Sequence, residues 1–157
     1  MKKINFLIKL QKEGKLKMVE PSGEMKKSYL NKSESNLISS KILFENNLFE
    51  EAISMAYYSM YNALNALLFQ VGIKCENHSG AIFLLKELFG LDNSGISFAK
   101  QERIDKQYYV DFNVTKEQVL ELIKIAEEAS KELLNFIAIL KNKDIESYRT
   151  KLLELLK

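Results

Sequence analysis

The chain is poor in the residues that form disulfides, metal clusters and tight turns. It has one cysteine, one histidine and one proline in 157 residues. With Cys75 as the only cysteine, an internal disulfide and a thiolate metal cluster are both excluded. A zinc site around the single histidine would need carboxylates for its remaining ligands. We therefore expect neither a metal nor a cofactor.

Long apolar runs are also missing, and no segment alternates as a β-strand does. The longest apolar stretch near the start is residues 6–8, too short for a signal peptide, and no run approaches the length that spans a bilayer. These absences predict a cytoplasmic protein with no membrane partner. Hydrophobic residues make up 46% of the chain, so we expect residues 1–157 to form a single domain with an ordinary core.

Charge is present but unevenly distributed. The formal net charge is +2, yet residues 1–41 hold ten lysines against four glutamates. A basic segment of this kind could attract phosphates, or it could be the solvated face of a helix. Net charge therefore does not assign the chain to a nucleic-acid-binding class.

The strongest positive signal is a long helix with few charges over residues 49–71. Small side chains recur along it at spacings of four, three, four and three, at Ala52, Ala56, Ser59, Ala63 and Ala66. This stripe would let a neighbouring helix approach closely, and bulky apolar residues flank it on both sides. The pattern predicts the central helix of an all-helical fold.

Other local signals indicate further helices joined by short loops. Ser22 suits an N-cap, Thr115 and Gln118 match a capping box, and Gly72 stands where a C-terminal glycine is expected. Helices are predicted for residues 2–10, 22–46, 49–71, 78–89, 97–107 and 115–140, and from 144 onward. Together they predict an all-α fold, an antiparallel up-and-down helical bundle of about five or six helices.

Two candidate sites lie near the central helix. His78 begins a predicted helix, where it could act as a base or bind phosphate beside free amides; alternatively, His78 and Ser79 simply cap that helix. Tyr58, Asn62 and Asn65 follow one another at i, i+4 and i+7. They could contact an RNA base or ribose, or bond a neighbouring helix or a second subunit.

A third candidate is the charged and aromatic sequence QERIDKQYYVDF before the last long helix. Arg103 could hold an RNA phosphate there, while Tyr108 or Tyr109 stacks on a base. Alternatively, Arg103 pairs with Asp105 or Asp111 and the tyrosines pack on the bundle.

The sequence AYYSMYNALNALLFQVG at residues 56–72, followed by HSG at 78–80, resembles the HEPN superfamily, in particular its small stand-alone prokaryotic members. The resemblance covers roughly residues 25–140. It implies an antiparallel helical bundle that usually dimerises. Many such proteins are paired with a minimal nucleotidyltransferase in toxin–antitoxin systems. Many superfamily members also cleave RNA without metal, through an arginine followed four to six residues later by a histidine.

The chain departs from that motif, because Tyr108 or Tyr109 stands where the histidine would follow Arg103. Cleavage through a 2′-hydroxyl needs a base near neutral pKa and a cation, and a tyrosine with a pKa of about 10 is a poor base. His78 could substitute only if the fold brings it near Arg103.

Three hypotheses follow from these residues and the resemblance. The first is a homodimeric binding or regulatory subunit of a nucleotidyltransferase system, which binds RNA or nucleotide and has weakened or absent nuclease activity. The second is an active ribonuclease toxin that uses Arg103 with His78 or Tyr108. The third is a structural helical adaptor.

Overall fold

The computed structural model describes residues 1–108 and 113–157. Its elements, in chain order, are α1 (Lys2–Lys12), β1 (Leu16–Met18), α2 (Gly23–Glu45), α3 (Phe49–Val71), β2 (Ile73–Cys75), α4 (His78–Glu87), α5 (Ser94–Tyr108), α6 (Lys116–Ile139) and α7 (Asn142–Leu155). The all-α fold is confirmed. The described residues form seven helices, one overlapping each of the seven ranges predicted to be helical, whereas the bundle was expected to contain about five or six. Within the described ranges, no helix combines the length and apolar character needed to cross a membrane.

Helix α3 lies at the centre of the bundle, as predicted. It packs against α2, α4, α5, α6 and α7. The stripe of small side chains is fully buried along its whole length, at Ala52, Ala56, Ser59, Ala63 and Ala66. Because these side chains are short, neighbouring helices can approach α3 closely and cover most of its circumference.

Helices α2 and α3 form an antiparallel hairpin joined by buried serine hydroxyls. Ser33 Oγ donates to the Ser59 carbonyl at 2.6 Å, and Ser40 Oγ donates to the Ala52 carbonyl at 2.7 Å. The donor advances by seven residues along α2 while the acceptor recedes by seven along α3, which fixes the antiparallel register. Each hydroxyl is buried and satisfied, so the close packing of the two helices leaves these polar groups paired.

The predicted helix boundaries are confirmed at three positions. Ser22 Oγ accepts a hydrogen bond from the first turn of α2, and Thr115 and Gln118 make both bonds of a capping box at α6. Gly72 ends α3 in the left-handed region at φ 81°. Helix α5 begins earlier than predicted because Asp92 accepts from the backbone N–H of Ser94 at 3.0 Å.

A short two-stranded sheet was not expected from the sequence. Strand β1 pairs antiparallel with β2, with Leu16 opposite Cys75 and Met18 opposite Ile73. Strands of three residues are too short to produce a readable alternation. The sheet matters for the site because β2 joins the end of α3 to the segment that begins α4, where His78 lies.

Helix α7 is attached to the end of α3 by Arg149. Its Nη1 atom donates to the carbonyls of Val19, Val71 and Gly72 at 2.8, 3.0 and 2.9 Å. A cation is favourable at this position because the last carbonyls of a helix carry partial negative charge. A Cβ atom at Gly72 would clash with the Val19 carbonyl and with Arg149, so this corner requires glycine.

Replacing Arg149 with methionine is expected to lower the free energy of unfolding by about 2–3 kcal/mol, because the part-buried carbonyls lose a charged donor. Urea denaturation monitored by circular dichroism measures this change. Lys143→Met, at an exposed position of the same helix, is the control and should change stability by less than about 0.5 kcal/mol. Equal effects of the two substitutions would contradict the proposed role of Arg149.

Candidate functional site

The candidate site is formed by tyrosines on α3 and by charged side chains brought to them by α4 and α5. Tyr57 and Tyr61 lie one helical turn apart, and their rings stack with centroids 6.0 Å apart. Tyr58 is the next residue along, and its ring meets that of Tyr57 edge-on at 5.4 Å. Tyr57 is fully buried, whereas Tyr58 and Tyr61 are half-buried. The central helix therefore presents aromatic rings and hydroxyls at one place on its surface.

His78 meets this aromatic group from the first turn of α4. Its Nδ1 atom lies 2.7 Å from the Tyr57 hydroxyl oxygen, and its ring stacks on Tyr61 with centroids 4.0 Å apart. Asn77 caps the helix, since its Oδ1 accepts from the backbone N–H of Gly80 at 2.9 Å. The alternative that His78 and Ser79 cap α4 is therefore wrong. The capping position is taken by Asn77, and the imidazole is left to contact the tyrosines.

Helix α5 contributes two cations to the same place. The Arg103 guanidinium carbon lies 5.1 Å from the centre of the Tyr57 ring and 5.5 Å from that of Tyr58. Its Nη1 donates to the Tyr58 hydroxyl at 3.2 Å. One turn earlier, Lys100 Nζ donates to Ser79 Oγ at 2.6 Å. Arg103 and His78 thus both contact Tyr57, and the fold brings together the two residues that the sequence left separate.

Burial and the two cations determine the protonation states in this cluster. Burial raises the pKa of Tyr57 well above its usual range, so the phenol keeps its proton. Burial also lowers the pKa of His78 below its usual value of 6.5, and the positive charges of Arg103 and Lys100 lower it further. His78 is consequently neutral at neutral pH, and its hydrogen bond to Tyr57 joins two uncharged groups.

The arrangement is suited to binding a phosphate group. Arg103 Nε is buried without a hydrogen-bond partner, an unsatisfied state that protein interiors usually avoid. The guanidinium is held against two rings, and Lys100 adds a second positive charge on the same helix. A neutral imidazole beside these cations could accept a proton. Among the described residues, no group of three or more His, Cys, Asp or Glu side chains could hold a metal ion.

The other predicted residues have different locations. Tyr58, Asn62 and Asn65 line one cleft, with Asn62 Nδ2 donating to Asn36 Oδ1 at 2.6 Å and Asn65 only 7% exposed. Tyr108 ends α5; its side chain and the whole of Tyr109 lie outside the residues that the structure describes. The predictions for these two tyrosines therefore remain predictions.

Two contacting residues were not singled out as site residues from the sequence. Tyr57 was assigned no role from the sequence; the available signal was its hydroxyl in an apolar helix, because a buried hydroxyl needs a hydrogen-bond partner. Lys100 lies three residues before Arg103 on α5 and so shares its helix face. That spacing is the signal by which the sequence indicates a second cation beside Arg103.

Comparison with known proteins gives one family. The family model for the HEPN domain matches residues 27–136. A UPF0332 protein of Pyrococcus horikoshii is 34% identical over 110 residues, which is 69% of this chain and 70% of that protein. A UPF0332 protein of Archaeoglobus fulgidus is 33% identical over 104 residues, 62% of this chain and 83% of that protein.

A further relative carries a functional name. A protein of Methanocaldococcus jannaschii named "Putative toxin" is 39% identical over 59 residues. The match covers 38% of this chain and 41% of that protein's length.

The pKa of His78 is expected to lie below 6.5 and to rise when Arg103 is replaced by glutamine, because the nearby positive charge is removed. Proton NMR of the imidazole measures it, and one histidine in the chain makes the assignment unambiguous. Lys131→Gln, at an exposed position on α6, is the control and should leave the pKa of His78 unchanged. The pKa of His78 is lower in the folded state than the value of about 6.5 expected in the unfolded chain. Neutral His78 therefore contributes to the free energy of unfolding above about pH 6.5, and this contribution is lost as the pH falls from there toward the folded pKa. If Arg103→Gln leaves the pKa of His78 unchanged, the charge of Arg103 does not lie close to His78 as described.

Proposed function

Because this chain belongs to the HEPN domain family, we propose that it is the RNA- or nucleotide-binding component of a toxin–antitoxin-type system. In this proposal residues 1–157 act as one domain, and Arg103 binds a phosphate of the ligand. The main supporting observation is the Arg103 guanidinium, which is held between α5 and the rings of Tyr57 and Tyr58. The similarity to a relative named as a putative toxin supports the class of system.

Arginine is well suited to this role for a geometric reason. Its planar fork of N–H donors matches two oxygens of one phosphate, and rings on which it packs restrict its movement before the ligand arrives. Tyr58 fixes one end of the fork through the 3.2 Å bond to Nη1. Lys100 supplies a second charge close by, where Ser79 Oγ holds its amino group. The ligand therefore meets cations whose positions are already set.

Weakened or absent nuclease activity is the preferred form of the proposal. The segment after Arg103 offers a tyrosine where the motif of cleaving relatives has a histidine, and a tyrosine is a poor base at neutral pH. In addition, the Nδ1 atom of His78 is already hydrogen-bonded to Tyr57. The cluster therefore holds a phosphate more readily than it removes a proton from a ribose.

A second candidate function is metal-independent RNA cleavage. It is favoured by the contact of both Arg103 and His78 with Tyr57, and by the lowered pKa that keeps His78 neutral. With the Nδ1–H of His78 donating to the Tyr57 oxygen, the free lone pair of Nε2 would take the proton of a ribose 2′-hydroxyl as its oxygen attacks the adjacent phosphorus. Arg103 would stabilise the added negative charge, and the 5′-oxygen would leave with a proton from solvent.

The proposed partners are a minimal nucleotidyltransferase and a second copy of the chain. The first partner is supported by the family resemblance alone. The second is supported by an open apolar groove of about 650 Å³ between α2 and α3 that reaches Tyr58, lined by Ser39, Ile42, Leu43, Glu51, Ser54, Met55 and Tyr58. Ile42 in its lining and Ile38, one turn earlier on α2, are each 53% exposed. A second copy that covered this groove would lie next to the Arg103 cluster.

Arg103→Gln is expected to weaken binding of a labelled single-stranded RNA by about 10- to 100-fold, because a charged hydrogen bond to phosphate contributes about 1.5–3 kcal/mol. Fluorescence anisotropy measures the dissociation constant, and Lys131→Gln is the matched control. If RNA binds equally well to both variants, or does not bind the wild-type chain at all, the phosphate role of Arg103 is wrong and the adaptor hypothesis gains.

Incubating the same RNA with wild-type protein and with His78→Asn tests the second candidate: cleavage that disappears in the variant would establish it over the first.

Ile42→Glu is expected to convert a dimer to a monomer, because a charge in the apolar groove would be desolvated without a partner. Light scattering after size exclusion at micromolar concentration measures the mass. Ile139→Glu is the control, since Ile139 is 70% exposed on α6 away from this groove. A wild-type chain that is already monomeric, or a dimer that survives Ile42→Glu, would refute the proposed interface.

A further inference from the structure

A polar and aromatic groove extends from the Arg103 cluster along the junction of α2 and α3. Two adjoining cavities form this groove, with volumes of about 320 and 360 Å³. Their shared walls are Lys32, Tyr58 and Asn62. Because Tyr58 also bonds Arg103, the groove begins at the place where the proposed phosphate would be bound. Its volume is at the lower end of the range for small-ligand pockets.

One part of the groove is aromatic. Tyr29 and Phe69 stack with centroids 5.3 Å apart and an interplanar angle of 10°, which joins α2 to α3. Tyr61 lies in the same wall and carries the stacked ring of His78 on α4. Flat, fixed aromatic surfaces of this kind suit the faces of unstacked nucleobases.

The middle of the groove presents an oriented amide. Asn62 Nδ2 donates to Asn36 Oδ1 at 2.6 Å, which fixes the plane of the Asn62 side chain. One N–H and the carbonyl oxygen of Asn62 remain for a ligand. An amide that offers one donor and one acceptor complements an edge of adenine, which presents an amino group beside a ring nitrogen.

The charge of the groove comes mainly from Lys32. Lys74 also lines it, but its ammonium is paired with Glu76 at 2.8 Å. Lys32 Nζ lies 5.6 Å from the centre of the Tyr29 ring, and no carboxylate of the described residues lies within ion-pair distance of it. Its positive charge is therefore not neutralised by a neighbouring side chain.

We propose that this groove is a second nucleotide subsite for the same single-stranded RNA whose phosphate is bound at Arg103. Asn62 reads the base edge, with adenine preferred, and Lys32 contacts the phosphate of that nucleotide. The inference rests on the proposed function, because the groove is reached from the Arg103 cluster. It adds base selectivity to a site that would otherwise bind only the backbone.

The test uses short homopolymeric oligoribonucleotides of A, C, G and U of equal length, with anisotropy as the readout. We expect wild-type protein to bind the adenine oligomer about tenfold more tightly than the others, and Asn62→Leu to remove that preference. Lys32→Gln should weaken binding of all four and make the slope of log affinity against log salt about 0.7 less negative, the value for one phosphate of a single strand. The controls are Asn135→Leu on α6 and Lys27→Gln on α2, both at exposed positions.

The outcomes separate this subsite from the phosphate site. If Arg103→Gln weakens binding but Asn62→Leu and Lys32→Gln behave like their controls, the subsite is wrong and the proposed function stands. If wild-type protein binds none of the oligomers, both are wrong. Lys32 is exposed, so its variant will fold, and its salt slope remains decisive even where Asn62→Leu lowers stability.

Discussion

The hydrogen bond between the Tyr57 hydroxyl and His78 is the interaction on which the site depends. Tyr57 is fully buried in the middle of the central helix, so its hydroxyl must be satisfied by another element, and His78 at the start of α4 satisfies it. The face of the same ring carries the Arg103 guanidinium from α5. One side chain of the core thereby fixes the relative positions of an imidazole from α4 and a guanidinium from α5. Among the described residues, the site is therefore built from side chains that the packing of α4 and α5 on α3 holds in place.

Close packing of α2 on α3 has a related effect on the neighbouring groove. The small side chains of α3 and the buried hydroxyls of Ser33 and Ser40 keep the two helices in one register. In that arrangement the side chains of Asn36 and Asn62 reach each other, and Asn62 Nδ2 donates to Asn36 Oδ1. The same constraint that stabilises the hairpin also aligns its polar groups.

The fold could be predicted from the sequence because its signals are local. Helical periodicity, the Ser22 and Thr115 caps and the glycine at position 72 each depend on residues within one or two turns. The site depends on contacts between α3, α4 and α5, and sequence spacing carries no information about which helices meet. Arg103 and His78 were therefore each identified as candidates, but their common contact with Tyr57 was not. The β1–β2 pairing was missed because its strands are too short to show alternation and because their partners are more than fifty residues apart in sequence.

The attachment of α7 has a consequence for folding during synthesis. Arg149 bonds the Val19 carbonyl across a separation of 130 residues, so this contact closes a very long loop. Closing a loop costs entropy that grows only slowly with its length, but the contact cannot form before residue 149 has left the ribosome. The α2–α3 hairpin, whose partners are close in sequence, can pair much earlier. A nascent chain would therefore hold a formed hairpin whose last carbonyls stay exposed to water until Arg149 has been synthesised and can bond them.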